Sequence, residues 1–191
     1  MRVLLNGGEI SYPLGLCYLM MNFKDVLQGR RSVRSYKNKP LPREVAESLL
    51  TAAEFAPSAG NLRSRKYVVI ASPQMQNVLA QAAFGQSQVE TAPLLIVVCA
   101  DVGRSSSRYG DRGSLYAIQD ADAATMCLLL AAHELGLGAC WNGAFDDALV
   151  REALGLEEEI LPTAIISLGW PDETPLPPDR REWKEAVSWI E

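Results

Sequence analysis

One segment limits the possible folds of this chain more than any other. Residues Leu115 to Leu135 form a predicted helix that is apolar on nearly all sides between Ala121 and Ala132. A surface helix shows a single apolar stripe, so a helix that is apolar all round belongs in the centre of a protein or at a subunit interface. Gly136 and Gly138 are suited to end it. The sequence therefore predicts that this long helix is buried, either in the centre of the fold or at a subunit interface.

Shorter helices and strands lie on both sides of this segment. Two continuous apolar runs, Leu94 to Ala100 and Thr163 to Leu168, are typical of strands buried on both faces. Tyr67 to Ala71 and Ala139 to Trp141 are two further predicted strands. The polar stretch Val102 to Gly113 is predicted to be a loop. Capping residues and apolar periodicity predict helices over Asn22–Gly29, Leu41–Phe55, Pro73–Phe84 and Asp146–Leu154.

Composition excludes several classes of function. The chain has 191 residues, enough for one domain, and its net charge of −5 gives no general reason to expect nucleic-acid binding. No apolar run of about 18 residues is free of charge, so no membrane span is expected. Pro13 and Gly15 interrupt the apolar run near the N-terminus, which makes a secretory signal a weak interpretation of residues 1–21. We interpret those residues as an arm of uncertain role.

The cysteines and the histidine do not suggest a metal site. No two cysteines form a CxxC pair, and the chain has one histidine, so zinc binding is not expected. Apolar surroundings predict that Cys99 and Cys127 are reduced core residues, which indicates a cytoplasmic protein. The four cysteines are Cys17, Cys99, Cys127 and Cys140.

Three arginines lie within the five residues Arg30-Arg31-Ser32-Val33-Arg34. Guanidinium groups match phosphate oxygens in pairs, and a serine hydroxyl adds a donor. The segment taken alone is equally compatible with a solvated basic surface. A second pair, Arg180-Arg181, could complete a phosphate site or could also be surface charge.

Two predicted turns carry groups that could contact a ligand ring. Ser58-Ala59-Gly60-Asn61 combines a glycine, which allows close backbone approach, with an asparagine that both donates and accepts. In Trp141-Asn142-Gly143-Ala144 the backbone N–H groups could point at a ligand atom. Each is also compatible with an ordinary turn between two elements.

Side chains for hydrolytic chemistry are not evident. His133, on the apolar helix, is better interpreted as structural than as a catalytic base. Asp120 and Asp122 lie two residues apart on that helix, so they point to different faces and do not form an acid–base pair. An organic cofactor would account for this lack of catalytic side chains.

Taken together and in order, these features resemble the nitroreductase family of flavoenzymes. The resemblance extends from about Asn22 to Trp189. The stretches that carry it are Gly29 to Tyr36, Ala56 to Asn61, Tyr116 to Asp120, and Gly136 to Phe145.

The resemblance implies an α+β fold with a mixed, largely antiparallel sheet flanked by helices. It also implies an intertwined homodimer that binds FMN at its interface, with a domain over residues 22–170 and a C-terminal arm, residues 171–191, that crosses to the partner subunit. The activity implied is hydride transfer from NADH or NADPH, through flavin N5, to an electron-poor small molecule such as a nitroaromatic or a quinone. Reductive dehalogenation, flavin fragmentation and flavin binding without catalysis remain alternatives on the same fold.

Carried over by position, Arg30 and Ser32 look like phosphate ligands, with Arg31 near the phosphate and ribityl chain. Arg34 looks like the cation near N1 and the C2 carbonyl of the flavin. Ser58 belongs to the turn in which Asn61 looks like the partner of the pyrimidine edge. Asn142 precedes Gly143 and Ala144, whose backbone looks like the donor to N5. Arg180 and Arg181 look like the closing phosphate ligands.

The chain departs from the family pattern after Asn61. Many relatives continue with Leu-Gln-Pro-Trp, whereas this chain has Leu62-Arg63-Ser64-Arg65. This difference suggests that Arg63 replaces the usual glutamine contact. It also suggests that two added charges near the cofactor, Arg63 and Arg65, favour an acidic substrate or the phosphate of the nicotinamide cofactor.

Overall fold

The predicted central helix is present as α6, Gly113–Glu134, in a computed structural model that describes residues 2–5, 8–11 and 21–191. Ala117, Ala121, Ala124 and Leu128 on this helix are fully buried. The helical stretch Val102–Glu134 meets the length and composition expected of a membrane span. Its apolar side chains instead form the core of the fold. Apart from residues 2–5 and 8–11, the structure of the N-terminal arm, with Cys17, lies outside the described residues.

The other predicted elements are present in order with small shifts at their ends, and helix Ser87–Thr91 and strands Arg2–Leu5 and Gly8–Ser11 are present in addition. Asn22 and Asp146 cap their helices as expected, since their side chains accept from backbone N–H groups of the first turn. The helices are α1 (Phe23–Gly29), α2 (Arg43–Ala53), α3 (Pro73–Ala82), α4 (Ser87–Thr91), α5 (Val102–Tyr109), α6 and α7 (Asp147–Leu154). The strands are β1 (Arg2–Leu5), β2 (Gly8–Ser11), β3 (Arg65–Ile70), β4 (Leu94–Asp101), β5 (Gly138–Asn142) and β6 (Ile160–Gly169).

The main sheet has the order β3-β4-β6-β5, and each neighbouring pair is antiparallel. Strands β1 and β2 form a separate antiparallel pair. A parallel bridge between Ser32 and Ala139 adds the arginine segment beside β5, and an antiparallel bridge joins Tyr36 to Pro171. These pairings confirm the expected α+β class with a mixed, largely antiparallel sheet.

Both faces of the sheet are covered, which explains why β4 is apolar along its whole length. Ile96 and Val98 face one cluster of core residues, formed with α2 and α6. Leu95 and Val97 face a second cluster, formed with α3 and α7. Alternate residues of a strand point to opposite faces, so a strand between two helical layers needs apolar residues at every position.

The prediction of a loop over Val102–Gly113 is wrong. Val102–Tyr109 is helix α5, followed by a 3₁₀ turn over Gly110–Arg112. Asp101 caps α5 by accepting from the backbone N–H of Arg104 at 3.0 Å. Gly113 lets α5 approach α6 closely, because a Cβ there would lie 2.3 Å from the Cα of Ser106. The helix therefore depends on packing against α6, a contact that its glycine- and serine-rich sequence does not reveal.

Beyond its first residues, which contact the arginine segment, the C-terminal arm is exposed. Trp183 is 60% exposed, Trp189 78% and Ile190 100%. A short 3₁₀ turn over Trp183–Ala186 is its one regular element among the described residues. Large apolar side chains rarely remain in water in such a group, so the arm has the composition of a segment that packs on another surface.

Candidate active site

The arginine segment is fixed to the end of the sheet by backbone contacts. The N–H of Val33 donates to the carbonyl of Ala139 at 3.0 Å. Gly138 is required at this crossing, because a Cβ there would lie 2.6 Å from a methyl carbon of Val33. The backbone N–H groups of Arg34 and Ser35 both donate to the carboxylate of Glu173. The segment is therefore held against β5 and the chain that follows β6.

The arginines of this segment point in two directions. Arg31 and Val33 line a groove of about 380 Å³ together with His133. The guanidinium of Arg31 donates back to the carbonyls of Gln28, at 2.6 Å, and Arg30, at 2.9 Å. In extended backbone, alternate side chains point to opposite sides, so Ser32 and Arg34 lie on the side away from this groove.

The charge of Arg34 acts on Cys140, on the far side from the groove, whereas that of Arg30 acts on both Cys140 and His133. Burial raises the pKa of the Cys140 thiol, and the adjacent guanidinium of Arg34 acts in the opposite direction. Burial lowers the pKa of His133, and the charges of Arg30 and Arg31 lower it further. His133 is therefore a neutral imidazole at pH 7, in agreement with a structural role.

The turn from Ser58 to Ser64 is held in place by Asp120. This carboxylate is buried on α6 and accepts from the backbone N–H of Ala59 at 2.9 Å and of Ser64 at 3.2 Å. The hydroxyl of Ser58 accepts from the N–H of Arg63 at 3.0 Å. Gly60 and Asn61 both have φ of +55°, which turns the backbone sharply and leaves Asn61 exposed. The sequence analysis assigned no such role to Asp120.

Of the two added charges, Arg63 is exposed but Arg65 is buried. The expectation that Arg65 favours an acidic substrate or a cofactor phosphate is therefore wrong. The Arg65 side chain is 1% exposed and donates to the carboxylate of Glu54 at 3.0 Å. It also donates to backbone carbonyls, among them that of Ala56 at 3.3 Å. Arg65 is a structural residue, because a buried guanidinium needs several acceptors and a counter-charge.

Arg63 is exposed, but it shares the same counter-charge. Its guanidinium lies 3.7 Å from Glu54. Burial acts to raise the pKa of Glu54, but the hydrogen bond and charge of Arg65 outweigh it, and the pKa lies below its usual value. Glu54 is therefore ionised at pH 7 and partly neutralises both arginines.

The side chain of Asn142 is directed into the protein, so only its backbone is placed to contact a ligand. The side chain is 2% exposed and its amide donates to the carbonyl of Ile165 at 2.7 Å. The next two residues, Gly143 and Ala144, are exposed at the end of β5. In the predicted turn, the backbone of Gly143 and Ala144 is therefore accessible to a ligand, whereas the side chain of Asn142 is buried.

A chain of buried hydrogen bonds links the arginine segment to the Gly143-Ala144 turn. The hydroxyl of Tyr36 donates to the carbonyl of Val33 at 2.6 Å and lies 2.9 Å from the hydroxyl of Ser167. The Asn142 amide also donates to Ser167, at 3.2 Å. Burial raises the pKa of Tyr36, so its phenol stays protonated.

Two glutamines complete this network, and the sequence analysis had assigned them no role. Gln88 donates to the side-chain oxygen of Asn142 at 2.7 Å and to that of Gln86 at 3.0 Å. Gln86 in turn donates to the carbonyl of Ala144 at 2.7 Å. Glutamines at these positions look unremarkable in the sequence, because their partners lie more than fifty residues away.

We expect Gln88→Leu to loosen the Gly143-Ala144 turn, because it leaves the buried side-chain oxygen of Asn142 without this donor. Breaking a buried hydrogen bond on one side costs about 1–3 kcal/mol of unfolding free energy. Gln76→Leu is the matched control, since Gln76 is equally buried but donates to the carbonyl of Ala92, outside the network. Amide exchange at Gly143 and Ala144 should speed up in the first variant only. Equal exchange in both variants would show that the network does not hold the turn.

The structure does not bring Arg180 and Arg181 to the arginine segment within one chain. Both are exposed in the C-terminal arm, where Arg181 lies 3.8 Å from Glu185. Among the described residues, no group of three or more histidine, cysteine or acidic side chains could hold a metal ion. Cys99, Cys127 and Cys140 are free thiols.

Comparisons with known proteins agree with this architecture. The model of the nitroreductase family matches residues 27–91 and 73–170. An NADH dehydrogenase of Thermus thermophilus is 32% identical, with 89% of this chain and 97% of that protein covered. An NADPH-flavin oxidoreductase of Vibrio harveyi is 30% identical, with 82% and 68% covered.

A solved structure shows the same fold at similar identity. Nitroreductase A of Vibrio parahaemolyticus superposes with a TM-score of 0.82 at 28% identity, and the match covers 90% of this chain and 77% of that one. The family match spans well over half of the chain and includes the arginine segment, the central helix and strands β3 to β6. The chain belongs to the nitroreductase family.

Proposed function

We propose that this protein is an FMN-dependent NAD(P)H oxidoreductase that reduces small electron-poor molecules such as nitroaromatics and quinones. Membership of the nitroreductase family, together with the geometry of the site, carries the proposal. Two exposed turns lie beside the arginine segment, and each is held by buried hydrogen bonds: the Asn61 turn by Asp120 and the Gly143-Ala144 turn by Gln86 and Gln88. The similar proteins from Vibrio harveyi and Thermus thermophilus bear the names of flavin-dependent and NADH-dependent oxidoreductases.

The residues present suit a phosphorylated, planar cofactor. Ion pairs recorded within 4.0 Å among the described residues do not involve Arg30 or Arg34, so both charges are available to an anion. Gly143 is exposed and lacks a Cβ, and the nearest atom to a Cβ built there would be the indole nitrogen of Trp141 at 3.6 Å. A flat ring could therefore approach the backbone of this turn closely.

Each group has a distinct proposed task. Arg30 and Ser32 would hold the phosphate of FMN, and Asn61 would pair with the edge of the pyrimidine ring. The backbone of Gly143 and Ala144 would orient the reactive edge of the ring. When bound, FMN supplies the atom that takes up hydride from the nicotinamide and gives it to the acceptor. Arg34 would stabilise the negative charge that accompanies reduction.

We also propose that the functional unit is a homodimer. The exposed C-terminal arm would cross to a second copy and bring Arg180 and Arg181 to the phosphate of its cofactor. The exposed tryptophans of the arm support this arrangement, because burying them stabilises a dimer. Free thiols at Cys99, Cys127 and Cys140 support a cytoplasmic location.

The visible spectrum of the purified protein, followed by anaerobic titration with NADH and NADPH, tests this function. We expect a yellow protein that either nicotinamide bleaches and a nitroaromatic re-oxidises. Two-substrate kinetics should give parallel lines, as for an enzyme that releases its first product before the second substrate binds. A protein that takes up no added FMN would contradict the proposal. A yellow protein that neither nicotinamide reduces would instead be a flavin-binding protein. Reduction without nitroaromatic turnover would favour the dehalogenating or fragmenting alternatives.

A further inference from the structure

Three arginines lie on helix α5 and in the turn that follows it. Arg104, Arg108 and Arg112 are all exposed. Arg104 and Arg108 share one face of α5, because residues four apart are neighbours on a helix, and Arg112 follows in the 3₁₀ turn after Gly110. We refer to Arg104, Arg108 and Arg112 as the α5 arginine cluster.

The α5 arginine cluster borders the turn that carries Asn61. The guanidinium of Arg104 donates to the carbonyl of Leu62 at 2.6 Å, and that of Arg108 to the carbonyl of Gly60 at 3.5 Å. A Cβ on Gly60 would lie 2.9 Å from a guanidinium nitrogen of Arg108. These contacts place the cluster next to the proposed pyrimidine edge of the cofactor.

The charges of the cluster are not neutralised by carboxylates. The ion pairs found within 4.0 Å in the described part of the chain do not include Arg104, Arg108 or Arg112. The acidic residues around α5 are Asp101, which caps the helix backbone, Asp111 in the following turn, and Glu159 beside Gly103. Arg104 and Arg108 are like charges four residues apart, which is unfavourable in a helix, and their hydrogen bonds to the carbonyls of Leu62 and Gly60 offset this without neutralising either charge.

Aromatic side chains support two of the three guanidinium groups. The rings of Tyr109 and Tyr116 meet edge to face at 5.0 Å between centroids. The guanidinium of Arg108 lies 5.6 Å from the ring of Tyr109, and that of Arg112 lies 5.2 Å from the ring of Tyr116. Arg112 also donates to the Tyr116 hydroxyl at 3.0 Å. Contacts of this kind orient a guanidinium without removing its charge.

We propose that the α5 arginine cluster binds a phosphate or carboxylate group on a substrate that occupies the site beside Asn61. This inference rests on the proposed function and names a substrate class for it. The anionic group has two possible sources, the 2′-phosphate of NADPH or a carboxylate on the electron acceptor. The phosphate of FMN is a separate ligand, expected at Arg30 and Ser32.

The test compares Arg108→Gln/Arg112→Gln with Arg43→Gln. Arg43 is an exposed arginine, with its side chain 88% accessible, and it begins α2 at the end opposite the one that leads into the Asn61 turn. Steady-state kinetics would use two matched pairs of substrates: NADPH against NADH with one neutral acceptor, and 4-nitrobenzoate against 4-nitrobenzamide with NADH. Calorimetric titration with adenosine 2′,5′-bisphosphate against AMP gives a readout that does not need turnover.

We expect the unchanged protein to favour the anionic member of one pair in kcat/KM. The double variant should lose about 5- to 20-fold of that preference, the range expected for two charge contacts that are exposed and partly screened by solvent. Arg43→Gln should keep it, and Arg108→Lys should keep part of it. Loss of the preference for NADPH, together with weaker binding of the bisphosphate, would identify NADPH as the source of the anionic group. Loss of the preference for 4-nitrobenzoate would identify the electron acceptor as its source.

Two results would overturn the inference while leaving the proposed function intact. One is normal turnover of NADH with 4-nitrobenzamide and no preference for the anion in either pair. The other is an equal change in the double variant and in Arg43→Gln. Absence of turnover with the neutral pair, in a protein that binds no flavin, would instead refute the proposed function.

Discussion

Arg30→Ala is expected to bind FMN about 10- to 100-fold more weakly than the unchanged protein, because a charge-assisted hydrogen bond to phosphate contributes about 1.5–3 kcal/mol. Arg30 does not line the His133 groove, although its charge acts on His133. Fluorescence titration of the flavin-free protein with FMN measures the effect. Riboflavin, which lacks the phosphate, should bind equally to both proteins.

Arg31→Ala is the matched comparison for this prediction. Arg31 is the adjacent arginine, but its guanidinium donates to the carbonyls of Gln28 and Arg30 and lines the His133 groove. Loss of the Arg31 side chain should change FMN affinity by no more than about threefold, the effect of removing a nearby charge that does not contact the phosphate. A larger loss in Arg31→Ala than in Arg30→Ala would show that the two side chains exchange places when the cofactor binds.

Asp120→Ala is expected to lower the free energy of unfolding by roughly 3–5 kcal/mol, because it removes a buried carboxylate that accepts from two backbone N–H groups. Those donors, on Ala59 and Ser64, would be left without this partner. The Asn61 turn should loosen as well, so FMN affinity should fall even though Asp120 is not expected to touch the cofactor. Urea unfolding followed by circular dichroism measures the stability.

Asp122→Ala provides the control on the same helix. Asp122 is half-buried, and burial raises its pKa, but it makes no contact with the Asn61 turn among the hydrogen bonds described. Its replacement should leave stability unchanged or slightly increased, since a partly buried carboxylate without a counter-charge is costly. Equal losses in both variants would mean that helix α6 tolerates no change here, and that the turn contacts of Asp120 are not the cause.

Arg30 and Asp120 differ in whether their roles can be inferred from the sequence. Arg30 is readable from the sequence, because arginines close together beside a serine suggest phosphate binding wherever they occur. The role of Asp120 cannot be read from the sequence, because its hydrogen-bond partners lie in a turn about sixty residues earlier in the chain. Gln86 and Gln88 share that property, since both are defined by contacts with the end of β5.

By itself, the sequence determined most of the elements and their order, but not helices α4 and α5 or strands β1 and β2. Helix caps at Asn22 and Asp146, the apolar central helix and the buried strand β4 all depend on residues within a few positions of each other. Local hydrogen bonding and periodicity act within a single element, so they are visible without a fold. The fold class followed from these elements through the resemblance to the nitroreductase family.

Only the tertiary structure decided which charges are buried and which are available to a ligand. It placed Arg65 inside the protein against Glu54, turned the amide of Asn142 into the core, and made α5 a helix whose arginines surround the Asn61 turn. The residue type alone does not show whether an arginine is buried or solvated. Its surroundings are set by contacts between segments distant in sequence, and the hydrogen bond from Arg104 to the carbonyl of Leu62 is such a contact.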